Sequence, residues 1–357
     1  MSLTFLAAQR PVLATLLCLV LSCLQINAGA IAQAVPSDTV PQQQETPLKI
    51  VLALGGGGTR GCAHIGVIRA LEKEGIKFDG IAGTSMGAII GGLYCAGLSI
   101  DEIEDRLLNK SLLHAYHTVP IPIRLAVVPI FFIPHLFGHR PYDGLYKGNR
   151  FRNYLNNSVP ECGRNIEELR IPFRAVAANL LDAKPYAIKS GNLGLAIQAS
   201  SAIPVLRRPV PVEDKLFVDG GIQANLPAKQ AREMGADLVI AVNCDETFPP
   251  VPPSTFRHIG SVSHRVISML LSKVDEDQPS AADVVIHPGL NGIHLLSTNM
   301  KEARRAIAEG EKATLEAMPA IRAKIEQIKK ERLAEREKRK SVNGITMSES
   351  EAAADKK

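Results

Sequence analysis

The stretch D-G-I-A-G-T-S-M-G-A-I-I-G-G-L, residues 79–93, leaves a chain of this kind few ways to fold. Residues 78–82 have the length and composition of a buried strand, and residues 88–93 continue as an apolar helix. Between them lies Gly83-Thr84-Ser85-Met86-Gly87, a G-x-S-x-G element. A serine joining a strand directly to a helix sits on a sharp turn, so Gly83 and Gly87 let neighbouring backbone pass close. The Ser85 hydroxyl then points outward at a helix N-terminus. There, unpaired N–H groups and the positive dipole end favour developing negative charge. Ser85 is the candidate nucleophile; the plainer reading makes it only the N-cap of its helix.

Charge narrows the field. The formal net charge of the 357 residues is +5, but nine Lys or Arg against four Glu fall between Arg322 and Lys340. The remainder is therefore close to neutral, which does not support a basic surface for nucleic acid. With no Trp and 4% aromatics, a base-stacking platform is not expected either. The six cysteines (18, 23, 62, 95, 162 and 244) show no C-x-x-C spacing, so no metal site is expected.

Residues 1–34 read as an export signal, with Arg10 as the positive flank, an apolar run over residues 12–24 and small residues near 28–34 for cleavage. The run is shorter than the ~20 residues of a transmembrane helix. Val20-Leu21-Ser22-Cys23 loosely resembles a bacterial lipoprotein box, and an uncleaved anchor is the alternative. The expected location is periplasmic or membrane-associated rather than secreted. Residues 35–48 are a polar, Gln-rich linker.

A folded domain is expected over residues 49–300. Residues 50–54 read as a buried strand, followed by Gly55-Gly56-Gly57-Gly58-Thr59-Arg60-Gly61 and a helix that Gly75 ends, so the opening is a βαβ unit. Residues 56–61 fit G-x-G-x-x-G, and Asp79 lies near the offset of a ribose-binding acid. Yet Asp79 begins the second strand, and the carboxyl end of that strand carries the serine turn. Successive glycine N–H groups can instead approach the oxygen of a tetrahedral intermediate closely, as an oxyanion hole. A glycine loop and a serine turn at one sheet edge make sense together only in that second reading.

Further along, residues 99–108 read as a helix with a Ser99/Glu102 capping box. Residues 119–138 are strongly apolar, but their prolines forbid a continuous membrane helix; they read as an irregular core wall or as a lip admitting acyl chains. Residues 173–178 and 185–188 suggest a hairpin, residues 195–201 a helix, and residues 216–218 a strand ending in Asp219-Gly220-Gly221. An acid at a strand end before two glycines suits a carboxylate aimed at a cleft, or a turn aspartate capping its own backbone. Strands over residues 238–242 and 284–287, around a helix near residues 262–271, complete the alternation. The pattern predicts an α/β three-layer sandwich with a mostly parallel central sheet. Two charged helices over residues 301–340 and a disordered tail over 341–357 follow; the charge run reads as a solvated face or an attraction to anionic headgroups.

The Gly-rich loop, G-T-S-M-G, A-S-S-A-I-P at residues 199–204 and D-G-G, in that order, resemble the patatin-like phospholipases, particularly bacterial members, over residues 49–243. The resemblance implies the patatin-like fold and a serine acyl hydrolase of phospholipids or lysophospholipids, with no cofactor and peripheral contact with a membrane. It makes Ser85 the nucleophile and Asp219 the proton acceptor of a Ser–Asp dyad. It assigns the oxyanion hole to the N–H groups of Gly56, Gly57 and Gly58, with Arg60, Gly61, Gly83, Gly87, Gly220 and Gly221 as motif support. Asn225-Leu226-Pro227 and Ser200-Ser201 would be structural neighbours, and Cys62 would make the site sensitive to thiol reagents. Two alternatives stay open: a Ser-His-Asp esterase using His258, His264, His287 or His294, and a non-catalytic lipid-binding or interaction protein. A nucleotide-binding enzyme stands behind both.

Overall fold

A computed structural model of the chain describes residues 47–117, 142–257 and 261–354. The expected export segment, nearly all of the linker and the apolar residues 119–138 lie outside the described residues, as does His258. The described residues form one compact unit.

Among the described residues, eight strands make the sheet: β1 (Ile50–Leu54), β2 (Gly80–Thr84), β3 (Phe173–Asn179), β4 (Lys184–Ile188), β5 (Val210–Val212), β6 (Lys215–Asp219), β7 (Leu238–Val242) and β8 (Val284–Ile286). Their order is β5-β6-β3-β2-β1-β7-β8, with β4 on β3. Every residue of β1, β2 and β7 is buried, as expected for parallel strands covered on both faces. The alternation of side chains distributes them between two cores. Ile50, Leu52 and Leu54 face one with Leu238, Ile240 and Val242, while Val51 and Ala53 face the other with Val239 and Ala241. The helices α1 (Ala63–Lys73), α2 (Met86–Cys95) and α3 (Ile100–Leu108) cover the first core; α7 (Ala228–Arg232) covers the second. This is the expected α/β sandwich.

The sheet is mixed, with parallel pairings in the majority, as expected. Four pairings from β3 through β2, β1 and β7 to β8 are parallel; those of β3 with β4, β3 with β6 and β5 with β6 are antiparallel. The expected hairpin is β3–β4. β5 has three residues with Pro211 at its centre, too short to leave a readable period.

The register of β3 positions the site. β4 pairs with residues 175–179 on one edge. β2 must therefore use the other edge, ending at the Thr84 pairing with Val176, and β6 continues along it from the Asp219 pairing with Ala177. Running in opposite directions, β2 and β6 meet end to end, so the residue after Thr84 and the last residue of β6 are brought face to face.

Beyond β2, the Ser99/Glu102 capping box of α3 is present as expected. α4 (Ser111–Tyr116), α5 (Asn149–Ser158), α6 (Leu193–Ser200) and α8 (Ser261–Val274) follow in chain order. The C-terminal region is one helix, α9 (Met300–Ala354), where the sequence suggests two helices and a tail. Pro319 lies inside it, and Pro319 and Leu315, the residue whose carbonyl the proline leaves without its N–H, are both exposed. Residue 300 does not mark a boundary: Ala303, Ala306, Ile307, Met318 and Ile321 are buried in the main core. Part of the basic run is paired with the domain rather than simply solvated, Arg322 with Glu74 at 2.8 Å, Lys324 with Asp283 at 3.9 Å and Arg332 with Asp237.

Candidate active site

Three carboxyl ends converge: β1 delivers the glycine loop, β2 delivers Ser85 and β6 delivers Asp219. Ser85 has φ 52° and ψ −116°, a conformation a residue with a Cβ avoids and that packing must enforce. The enforcement is visible on both sides. A Cβ on Gly83 would lie 2.5 Å from the Gly87 carbonyl oxygen, and one on Gly87 would lie 2.2 Å from the Leu54 carbonyl oxygen. Below the turn, the Ser85 N–H donates to Ser200 Oγ at 3.0 Å, and Ser200 Oγ donates to the Val176 carbonyl at 2.6 Å.

The Ser85 hydroxyl donates to Asp219 Oδ2 at 2.7 Å. The other carboxylate oxygen, Oδ1, accepts the Gly221 N–H at 2.8 Å, and a Cβ on Gly220 would stand 2.2 Å from the Val176 carbonyl oxygen. Asp219 thus both caps its own turn and reaches the serine, which joins the two readings of D-G-G. Burial pushes the Asp219 carboxyl up to about 6, against the lowering effect of the Gly221 and Ser85 hydrogen bonds. Among the described residues, no histidine hydrogen-bonds either side chain. His294 is an exposed partner of Glu302 at 3.7 Å, and the side chain of His264 lies outside the description. His64 is fully buried and bonded to the Gly55 carbonyl at 2.7 Å, and burial lowers it to about 4.

The glycine loop departs from expectation at one position. The Gly56 N–H already donates to the Asn225 carbonyl at 3.0 Å, so it has no proton left for an oxyanion. The Gly57 and Gly58 N–H groups have no partner among the described residues. Gly58, at φ 52°, is pressed against the chain before α9: a Cβ there would sit 2.0 Å from the Leu295 carbonyl oxygen. That carbonyl takes the Thr59 N–H at 2.9 Å, and the Ser297 carbonyl takes the Thr59 hydroxyl at 2.8 Å. Gly61 faces the elbow, with Met86 Cβ 2.7 Å from where its own Cβ would be. Arg60 is 1% exposed, with Glu246 at 3.6 Å, and so ties the loop to the chain after β7.

Asp79 lies at the opposite end of the sheet, where its carboxylate accepts the Ile50 N–H at 2.9 Å. It seals the strand entry and cannot reach a ligand on the glycine loop, which removes the ribose-binding reading of G-x-G-x-x-G.

Sequence reasoning left several supports in the background. Asn225 donates from Nδ2 to Asp245 at 2.8 Å while its carbonyl holds Gly56, and Asp275 accepts the Leu226 N–H at 2.8 Å. Burial raises both carboxyls, Asp275 to about 7. The N-L-P run was the available signal; its acidic partners stand 20 and 49 residues away.

Ser85 opens into a pocket walled by Ile89, Leu107, Leu112, Tyr116, Ile203 and Met300. An apolar lining with a few polar groups at one end is typical of a small-molecule site. His117 also lines it, and burial lowers this imidazole to about 4. Cys62 lines it too but is 2% exposed, and burial pushes its thiol up to about 12. This burial argues against the expected thiol sensitivity, since the reactive thiolate is scarce near neutrality. Iodoacetamide at pH 7.5 is expected to mark exposed Cys162 and to spare Cys62, Cys95 and Cys244 by peptide mass spectrometry. Rapid modification of Cys62 would contradict this burial. No group of three or more candidate metal-ligating side chains occurs among the described residues, and no helix there is long and apolar enough to cross a membrane.

A strained serine between strand and helix, bonded to a buried carboxylate beside a glycine loop, defines an α/β protein built around a serine elbow. The family described as Patatin-like phospholipase matches residues 52–232. The chain belongs to that family. An uncharacterized NTE family protein of Mycobacterium tuberculosis is 38% identical over 195 residues, covering 55% of this chain and 49% of the relative. Human patatin-like phospholipase domain-containing protein 6 is 32% identical over 203 residues, covering 56% of this chain and 14% of the relative. The chain thus spans about half the length of the first relative and a small part of the second. Among solved structures, VipD from Legionella pneumophila aligns with a TM-score of 0.43 and 16% identity, over 76% of this chain and 67% of that one.

Proposed function

We propose that this protein is a serine acyl hydrolase that cleaves fatty-acyl esters of phospholipids or lysophospholipids through Ser85 and Asp219. The observation that carries the reading is the 2.7 Å hydrogen bond from Ser85 Oγ to Asp219 Oδ2 at the base of an apolar pocket. The lipid class is supported by the family and by the phospholipase names of the relatives. Ser85 Oγ attacks the ester carbonyl as Asp219 takes its proton; the acyl group becomes bonded to Oγ, and the alcohol leaves with the proton from Asp219. Asp219 then takes a proton from water, whose oxygen attacks the acyl carbon, and Ser85 recovers its hydrogen as the fatty acid departs. The Gly57 and Gly58 N–H groups face the negative oxygen formed in each step, while the pocket holds the chain away from water.

Labelling with a fluorophosphonate tests the nucleophile. Near-stoichiometric labelling, mapped to the Ser85 peptide and abolishing release of fatty acid from phospholipid vesicles, is expected. Labelling elsewhere with lipid hydrolysis intact would sink the assignment. An intact, folded protein that neither labels nor releases fatty acid would favour the non-catalytic lipid-binding reading.

A further inference from the structure

A second pocket lies behind the Tyr116 wall of the first, and it is bordered by three cationic side chains. Ala115, Tyr146, Lys147, Gly148, Arg150 and Arg207 contribute to its lining. Arg207 is 2% exposed, yet among the described residues its Nε and Nη2 have no hydrogen-bond partner. Its Nη1 donates to the Tyr116 carbonyl at 3.3 Å, and its guanidinium carbon lies 4.1 Å from the Tyr116 ring centroid and 4.9 Å from that of Phe151. The rings contact the cation but supply neither a counter-charge nor an in-plane acceptor. A buried cation without an anion is costly, and its free fork matches two oxygens of an oxyanion.

The same pocket receives the N-terminus of α5, a ten-residue helix. Its cap, Gly148, has φ 89° and no side-chain cap bond, so the first N–H groups of α5 lack a capping acceptor. A Cβ at Gly148 would lie 2.4 Å from Gln198 Nε2, which keeps this position bare. Lys147 and Arg150 are exposed at the mouth and form no ion pair among the described residues. A buried guanidinium fork, a helix N-terminus and two exposed cations thus converge on one concavity.

We propose that this pocket binds a phosphate oxyanion, borne on the headgroup of the lipid or free in solution. The headgroup alternative rests on the hydrolase reading above, and would make Arg207 a specificity residue. Arg207 touches Tyr116, which walls the ester pocket, so in the headgroup case the phosphate would sit across that ring from the acyl chain.

The test uses the full chain in chloride buffer and has two arms. Inorganic phosphate is titrated by calorimetry into wild type, Arg207→Lys, and Lys147→Glu with Arg150→Glu. Saturable one-to-one binding to wild type, weakened at least tenfold in both variants, is expected. The mouth variant changes only exposed side chains, so it keeps the test meaningful if Arg207→Lys fails to fold. In the second arm, kcat/KM is measured on phosphatidylglycerol and on an uncharged monoacylglycerol. A tenfold or greater fall in the phospholipid-to-neutral ratio in the variants identifies the headgroup as the source; phosphate binding with an unaltered ratio identifies free phosphate. If wild type cleaves neither ester, the hydrolase reading fails while the titration still decides the pocket. No binding and no change in ratio would overturn the proposal.

Discussion

Replacing Asp219 by asparagine is expected to lower kcat by on the order of 10³-fold or more and, at the same time, to raise the melting temperature at pH 8. The activity loss follows from the geometry: an amide cannot take the Ser85 proton across the 2.7 Å contact. The stability gain follows from burial. The carboxyl is pushed from 3.8 to about 6 in the folded chain, so folding favours its protonated form. A group raised in this way contributes stability below its unfolded value and loses it as pH rises through the folded one. Above pH 6 the wild type therefore carries a buried carboxylate that costs up to about 3 kcal/mol, a cost absent from the neutral amide of the variant. Thermal melts should place the variant several degrees above wild type at pH 8, with the gap closing toward pH 4. The same group sets the rate: kcat/KM should fall about tenfold per pH unit below about 6 and level off above it. Since an asparagine also cripples a Ser-His-Asp site, histidine variants separate the mechanisms. Activity within about tenfold of wild type in His117→Ala, His258→Ala, His264→Ala, His287→Ala and His294→Ala supports the dyad. Loss of several hundredfold in one correctly folded variant would restore a triad.

The contrast between local and distant constraints explains what the sequence disclosed. Gly83 and Gly87 are readable because a turn that sharp admits no Cβ, and the clash is with backbone only a few residues away or on the adjacent strand. The same holds for Gly220 and Gly221, whose neighbour Asp219 closes its own turn. The meeting of β2 and β6 could not be read, since it depends on both using one edge of β3. Likewise, nothing in G-G-G-G announces that the Gly56 N–H is taken by Asn225, 169 positions on, whereas Gly57 and Gly58 remain open. Arg207 gives no local sign either; its burial arises from Tyr116 and Phe151 on separate helices. The charge run of α9 was conspicuous, but it masked the small residues through which the helix docks.

Those small residues carry the second large effect: Gly310→Val is expected to destabilise the protein by about 3 kcal/mol or more. α1 and α9 approach backbone to backbone. A Cβ on Gly310 would lie 2.1 Å from the Ala63 carbonyl oxygen and 3.0 Å from Ala63 Cα; one on Gly66 would lie 1.9 Å from the Ile307 carbonyl oxygen and 2.6 Å from the Glu311 N. No side chain can rotate away from either contact, so the helices must separate. Separation would expose Ala303, Ala306 and Ile307, which share a core with Ile65 and Ile68. It would also pull on the chain preceding α9, whose Leu295 and Ser297 carbonyls hold Thr59 beside the open Gly57 and Gly58 N–H groups. Gly310→Val should therefore lower the melting temperature by on the order of 10 °C and reduce kcat even at temperatures where the variant stays folded. Gly75→Ala supplies the comparison: at φ 72° with nothing within 4 Å of the added Cβ, it incurs only backbone strain of about 1 kcal/mol. Equal losses in the two variants would show that α9 is an appendage. A far larger loss in Gly310→Val, accompanied by lower kcat, would establish that the charged C-terminal helix belongs to the catalytic domain and holds its glycine loop in place.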